Sequence, residues 1–496
     1  MNISTFFCVI KKAFSADGSI SKKTAQGTFW LFSFRLADHS FRLVRTIILA
    51  RLLAPNDFGL FGITVMAVSL LETFSQNGFQ QALTQKKGDI IPYLDSAWVV
   101  QIVRGLVLAL VLFLLAPFIA LFFNAPESAP ILKVVALAVA LQGFYNIAIV
   151  YFSKNLQFHK YFLYQIMGTL ADFTVSVVLA FMLRSVWALV FGLLAGCAAR
   201  LVISYAVYPY YPRLKFNAPK AGELFKFGKW IFFSNVIVFF IMQADSFFVA
   251  KMLGIAALGF YQIAYKIPSV LAIEIIAGAI FPAYAKIQDD IPRIREAYVK
   301  TLKIFSSILI PMAGGIFAIT PEFVRLFLGI KWLPAVGAMQ VLVLSTLIWT
   351  IAFLSNYVFL ALGKPHIETW GITIRFLILA ILLYPFIVWW GILGASIAVL
   401  LSVICSASWL TYMVLKIMQC PITDFLKKIS VPLAGTVCMV LVILMIKNLF
   451  AVTMVNFFGL VMAGMVVYFL LMYMADRLFK NQMGALLKES LQVLIK

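Results

Sequence analysis

The chain has 496 residues, 63% of them hydrophobic and only 12% charged, with a mean hydropathy of +1.01. A soluble chain of this length would form several domains with a polar exterior, and 40 Lys+Arg with 19 Asp+Glu are too few to cover one. The net charge of +21 would suggest nucleic acid in a soluble protein, but here the basic residues gather in short connectors between apolar runs, which reads as membrane orientation with no nucleic-acid partner.

The opening stretch carries Lys11, Lys12, Lys22 and Lys23 but no long apolar region followed by a small-residue cleavage site, so residues 1–27 read as an uncleaved cytoplasmic tail. A crossing needs about 20 apolar residues. Fourteen runs meet that length: 28–50, 58–84, 94–122, 131–153, 162–183, 186–208, 230–252, 258–285, 304–320, 335–361, 367–388, 391–415, 430–447 and 454–474. The expected fold is all-α and integral to the membrane, with about fourteen transmembrane helices. Residues 28–208 form an N-lobe, 209–229 a cytoplasmic linker, 230–415 a C-lobe, 430–474 two extra helices and 475–496 a cytoplasmic tail.

Connector charge alternates along this series. One side collects 26 basic residues, including Lys86, Lys87, Lys154, Arg213, Lys215, Lys286, Arg293, Lys427 and Arg477. The other has seven, namely Arg51, Lys133, Arg184, Lys251, Arg325, Lys331 and Lys447. Because basic loops stay inside, both termini are expected in the cytoplasm. The five cysteines show neither metal-ligand nor disulfide spacing and read as packing residues.

Residues 46–86 align without a gap on 246–286. The match pairs Ala50 with Ala250, Arg51 with Lys251, Leu53 with Leu253, Gly59 with Gly259, Ile63 with Ile263, Gly78 with Gly278 and Lys86 with Lys286. A six-helix unit has an even number of crossings, so its two copies would share one orientation, the parallel repeat common in transporters. The last two helices fall outside the pair.

The first span reads TFWLFSFRLADHSFRLVRTIILARLL, and at helical spacing Arg35, Asp38, His39, Arg42 and Arg45 fall within roughly 120° of its circumference. Facing lipid, three Arg and one Asp would cost on the order of 10 kcal/mol, so the stripe must face a protein interior or a hydrated cavity. An ion-pair network with Asp38 neutralising Arg35 or Arg42 is one reading. However, one Asp cannot neutralise three Arg, and the surplus calls for an anion, for which the guanidinium fork suits phosphate oxygens. Other ionisable groups within spans are Glu72, Arg104, Asp172, Arg200, Asp245, Lys266, Glu274 and Arg375, candidates for cavity lining or ion coupling. Gly192 and Gly196 form a small-xxx-small pair that marks close helix packing, and Pro268, Pro282 and Pro311 provide bending points.

No GxxxxGK[ST] loop, HExxH pair or GxSxG elbow is present, and there are only three His, so the chain reads as neither an enzyme nor its own nucleotide motor. It needs no cofactor, with H⁺ or Na⁺ coupling left open.

Three stretches carry a family resemblance: IILARLLAPNDFGLFGI at 47–63; LGFYQIAYKIPSV at 258–270 followed by FPAYAKIQDD at 281–290; and FLGIKWLPAVGAMQVL at 327–342. They resemble bacterial polysaccharide flippases of the Wzx type, closest to the colanic-acid-exporter branch, within the superfamily of multidrug, oligosaccharidyl-lipid and polysaccharide exporters. The resemblance implies two six-helix lobes around a central cavity. It also implies translocation of an undecaprenyl-diphosphate-linked oligosaccharide from the cytoplasmic to the periplasmic leaflet of the inner membrane by alternating access, and a bundle that encloses its own cavity can work as a monomer. A polysaccharide polymerase and a chain-length regulator are the protein partners such a role would bring, beside membrane lipids. The related lipid II flippases also place arginines in their first helix, which gives Arg35, Arg42 and Arg45 a diphosphate-binding role, with Asp38 and His39 as orienting or pairing groups. Two alternatives are a cation-coupled multidrug antiporter of the same fold and a non-transporting membrane subunit of polysaccharide synthesis. An antiporter should show surplus carboxylates where span one shows surplus Arg.

Overall fold

The computed structural model describes residues 37–75, 83, 90–155, 157–208, 210–217, 219, 239–271, 277–449 and 453–479. The described residues are helical with short connections and contain no strand. The chain divides into two compact units, Met1–Gln262 and Ile263–Lys496.

In the first unit, α1 (37–52) turns at Leu53 and Ala54 into α2 (Pro55–Ser75). Asp57 closes this turn, accepting from the Ala54 amide at 2.8 Å and from the Val186 amide at 2.9 Å. Next come α3 (Ile91–Phe122) and α4 (Ser128–Gly143), then α5 (Phe158–Leu183) and α6 (Trp187–Val207), with α3 packed on α4 and α5 on α6. The positive-φ residue Arg184 ends α5. Helix α7 (239–253) reaches α8 (Ile255–Lys266) through Gly254 at φ +86°.

The fourth expected span, 131–153, is not one helix. It stops at Gly143 and restarts as a short turn at Ile147–Ile149 that runs into Val150–Lys154. Three features hold the break. Gly143 lies against Gly105 of α3, with no room for a Cβ on either. The Gln101 carboxamide donates to the carbonyls of Gln142, Gly143 and Tyr145 at 3.1–3.3 Å. The Asn146 side chain caps the new turn through the Ala148 amide and donates to the carbonyls of Ser204, Tyr208 and Tyr210. Carbonyls freed by breaking a helix are thus paired internally, as a bilayer requires.

The sequence repeat appears as a contact within this unit. A Cβ on Gly59 would strike the Ile255 carbonyl, and one on Gly259 would strike the Pro55 carbonyl. Each contact is the other shifted by 200 positions, so α2 and α8 cross as equivalent elements. Of the other matched positions, Gly78 and Lys86 lie outside the described residues.

In the second unit the eighth expected span, 258–285, is interrupted. After α8 comes a short turn at Pro268–Leu271, where proline removes a backbone donor, and later a short helix at Ala277–Ala285. Helix α9 (Ile291–Phe323) starts well before the expected residue 304, because Asp290 caps it by accepting from the Arg293 amide at 3.0 Å and its first turns are amphipathic rather than apolar. It ends in a wide turn to Leu328, and Gly329, at φ +104°, redirects the chain towards α10 (Val336–Ala361).

The run His366–Ile417 folds back on itself at Gly391 (φ +58°, ψ −133°) into α11 (366–390) and α12 (392–417). The Ser406 hydroxyl donates to the Gly371 carbonyl at 2.7 Å, Leu410 packs on Gly371, and the Phe386 carbonyl abuts Gly394, the register of an antiparallel hairpin. Helices α13 (Ile422–Lys447) and α14 (Met454–Phe479) complete the unit, α13 packing on α9 and α14 on α13. Tyr298, Trp332 and Phe359 are among its fully buried side chains.

Among the described residues nine helices are long and apolar enough to cross a membrane, the α11–α12 run taken as one. The expected count of fourteen is not reached by that measure. Cys197 and Cys420 are buried as packing residues should be, whereas Cys405 and Cys438 are exposed.

Candidate functional site

The polar stripe of α1 faces α5. Asp38 accepts from the Thr169 hydroxyl at 2.7 Å, and the Arg45 Nε donates to the Ser176 hydroxyl at 2.8 Å. Both contacts span 131 residues in sequence. A constant offset means that the two helices run parallel with fixed register, two turns apart along each.

Within this register the charges sort into pairs. Arg42 Nε donates to Asp38 Oδ2 at 2.8 Å one turn away, while its side chain remains 60% exposed. Arg45 Nη2 meets Asp172 Oδ1 at 2.8 Å, with both side chains largely buried. The antagonism foreseen from sequence, one acid against several arginines, is relieved by a second acid from α5. His39 is exposed, and Arg35 lies outside the described residues.

Helix α6 closes the far side of α5 through small residues. A Cβ on Gly192 would meet Ser176 and Asp172, and one on Gly196 would meet Asp172 and the Gly168 carbonyl. Gly168 in turn lies under the side chain of Arg200. The Gly192–Gly196 pair is a packing seam, as expected, and its partner row on α5 is Gly168, Asp172 and Ser176. Asp172 is therefore held between α1 and α6.

The remaining expected residues sit apart from this seam. Arg104 of α3 donates from Nε to the Ser75 hydroxyl at 3.0 Å and from Nη2 to the Glu72 carbonyl at 3.2 Å, tying α3 to the end of α2. Asp245 is 2% exposed and accepts from the Tyr261 hydroxyl at 3.0 Å. Lys266 is exposed at the end of α8, and Glu274 lies outside the described residues. In the second unit Arg375 is buried with its guanidinium 4.7 Å from the centre of the Trp349 ring, a cation–π contact. That unit also holds a mostly apolar cavity of about 1000 Å³ bounded by Ile310, Leu347, Tyr412, Lys416 and Phe425.

Sequence reasoning missed Thr169, Ser176 and Gly168, which no charge or motif distinguishes, and it missed the acceptor roles of Asp57 and Asp95. Asp95, at the start of α3, accepts at 2.9 Å from both the Tyr210 hydroxyl and the Arg213 amide, and Ser96 accepts from the Asn217 amide at 3.0 Å. The connector after α6 is thereby strapped to α3. Burial, and then the bond to Asp95, push the Tyr210 phenol up to about 12.

The first unit thus presents a seam of guanidinium, hydroxyl and carboxylate groups along α1, α5 and α6, able to hold an anion through the exposed Arg42 and to resist collapse through the Arg45–Asp172 pair. Comparison with known proteins places this architecture. A family model described as polysaccharide biosynthesis protein matches residues 48–337, more than half of the chain. The lipopolysaccharide biosynthesis protein WzxC of Escherichia coli (strain K12) is 27% identical over 329 residues, 65% of this chain and 67% of its own length. An uncharacterized membrane protein in the cps region of Klebsiella pneumoniae is 25% identical over 484 residues, 95% and 99% of the two chains. The solved structure of the lipid II flippase MurJ in an inward closed conformation shares the fold, with a TM-score of 0.71 at 16% identity over 90% of this chain and 99% of that one. The chain belongs to the polysaccharide biosynthesis protein family, as a multi-pass membrane protein.

Proposed function

We propose that this protein flips an undecaprenyl-diphosphate-linked oligosaccharide from the cytoplasmic to the periplasmic leaflet of the inner membrane by alternating access, acting as a transporter and not as an enzyme. The observation that carries this reading is the arginine-bearing seam. Asp38 and Asp172, the acids that a cation exporter would need free, are each engaged by an arginine, and Arg42 keeps most of its side chain exposed. A diphosphate offers that fork the paired oxygens it binds best. The names of the relatives agree in kind: WzxC is a lipopolysaccharide biosynthesis protein and MurJ a lipid II flippase.

In this scheme Arg42 and Arg35 take the diphosphate, Arg45 is aimed by Asp172, and Asp38 orients Arg42. The lobes are 28–208 and 230–415, joined by a cytoplasmic linker, and both termini face the cytoplasm. Glu72, Asp245, Lys266, Glu274 and Arg375 are left to cavity lining or to coupling with H⁺ or Na⁺. The unit acts as a monomer that hands its cargo to a polymerase under a chain-length regulator.

Reconstitution tests the reading. Purified protein in liposomes should move a prenyl-diphosphate oligosaccharide between leaflets, and Arg42→Ala should slow that movement at least tenfold. Extrusion of organic cations by a wild type that leaves every lipid-linked glycan in place would transfer the protein to the antiporter class.

A further inference from the structure

Arg42, Arg45 and Arg104 each reach a carboxylate or a carbonyl, but Arg200 has neither a hydrogen bond nor an ion pair among the described residues. Its Nε is buried, and its side chain lies across Gly168, the one residue type that leaves room for it there. Nearby, at the break in the fourth span, the Tyr145 hydroxyl is buried beside the Cys197 thiol with no oxygen or nitrogen partner among the described residues. The Gln142 carboxamide points at the same sulfur from 3.9 Å. Sulfur is a weak acceptor. The Tyr145 and Tyr164 rings meet edge to face with centroids 6.4 Å apart, and Arg200 is an electrostatic neighbour of both.

Guanidinium N–H, phenol O–H and amide N–H groups therefore gather beside a face of α5 whose one carboxylate, Asp172, is already engaged by Arg45. Buried donors of this kind are ordinarily paired, and a guanidinium is always charged. A ligand that satisfies the group must bring acceptor oxygens and negative charge. Interrupted helices line many transporter sites because their irregular backbone is tolerated only against protein or a hydrated cavity.

We propose that Arg200, Tyr145, Tyr164 and Gln142, gathered at the broken fourth span, form an anion subsite for an acidic group of the transported glycan lipid. The proposal rests on the flippase reading and adds a second anchor, contributed by α5, α6 and the end of α4, to the α1 arginines. The acidic group is a sugar carboxylate or a lipid phosphate, two sources of the same chemistry. Gly168 is the positioning residue, since any side chain there would push the guanidinium off α5.

Binding of soluble probes to the purified full-length protein separates the outcomes. The probes are cellobiouronic acid, neutral cellobiose and inorganic pyrophosphate, each titrated calorimetrically against wild type, Arg200→Gln, Arg200→Lys and Gly168→Ala. The wild type should bind one of the acidic probes about tenfold more tightly than cellobiose. Arg200→Gln and Gly168→Ala should reduce that preference to what the α1 arginines supply alone, and Arg200→Lys should restore part of it. Preference for the uronic acid identifies the sugar as the source, and preference for pyrophosphate identifies the lipid diphosphate. The thermal midpoint of Arg200→Gln should not fall, because no hydrogen bond or ion pair within the described residues is lost, whereas an arginine that bridges helices would lower it. Equal binding of all three probes by wild type, or unchanged preference in Arg200→Gln, overturns the subsite. A wild type that binds an acidic probe through Arg200 yet moves no lipid in liposomes retains the subsite and overturns the flippase reading.

Discussion

The Arg45–Asp172 pair offers the sharpest test of how the seam is built. The ions are 2.8 Å apart, the Arg45 Nε is spent on Ser176 at 2.8 Å, and the side chains are only 17% and 22% exposed. Asp172 cannot swing away, because the Gly192 and Gly196 positions of α6 lie directly behind it. Removing one partner of a buried pair strands the other and costs about 3–5 kcal/mol, and the residual exposure here places each single variant near the lower end, about 3 kcal/mol. Arg45→Met and Asp172→Leu should therefore each destabilise strongly. The double variant, which strands neither charge, should recover at least about 2 kcal/mol of the summed loss. Equilibrium unfolding of the purified protein in mixed micelles measures all four corners of the cycle. Single variants within about 0.5 kcal/mol of wild type, or additive losses, would refute the reasoning. Liposome transport by the double variant then assigns Arg45: activity near wild type makes it a strut for α1 on α5, and loss of transport despite restored stability makes it a substrate contact.

Three further outcomes follow from the geometry. Gly59→Ala and Gly259→Ala should each lower stability by about 2 kcal/mol, since a rigid carbonyl occupies the space of the new Cβ, and the double variant should cost less than the sum because one separation of α2 from α8 relieves both clashes; denaturant titration reads this. Gly391→Ala should cost about 1–3 kcal/mol, for its φ of +58° with ψ of −133° lies where only glycine is at ease, while Gly459→Ala, with open space around it, should be neutral or mildly stabilising in the same thermal assay. Asp95→Ala should speed hydrogen exchange across 210–217 at least tenfold; because the Tyr210 phenol is raised from 10.0 to about 12, the wild-type strap keeps its full contribution below pH 10 and loses it as pH rises through about 12.

Composition announced the bilayer, and apolar run length placed helices such as α3, α6, α10 and α14 within a few residues of where they stand, because a crossing has a required length and lipid forbids polar interruptions. The same criterion failed for α9, whose amphipathic first turns from Ile291 are helical without being apolar, and for the fourth span, where the Gly143–Gly105 approach and the reach of Gln101 are tertiary facts. The stripe on α1 was legible as periodicity, yet its meaning was not. Asp172 lies 127 positions beyond Arg45, and a single sequence does not say which face of α5 meets α1. Arg200 was legible only as one more charge in a span, since lack of a partner among the described residues is a property of its surroundings.

The repeat shows where family recognition and chemistry part. The stretch IILARLLAPNDFGLFGI is accounted for by architecture: Asp57 binds two amides to close the α1–α2 turn, and Gly59 makes room for the Ile255 carbonyl. Its counterpart 200 residues on does the same through Gly259 and Pro55, so the self-similarity seen in one dimension is a reciprocal contact in three. Residues constrained in this way by both sides of one crossing are poorly free to vary with cargo. In the proposed flippase, the groups that differ between glycans would be met elsewhere, by side chains such as Arg42, Arg200 and Tyr145, which lie outside the aligned repeat. A chain that kept this crossing and exchanged those side chains would keep its family and change its substrate, and grafting the Arg200, Tyr145 and Tyr164 positions between two relatives of different glycan specificity should move specificity without moving stability.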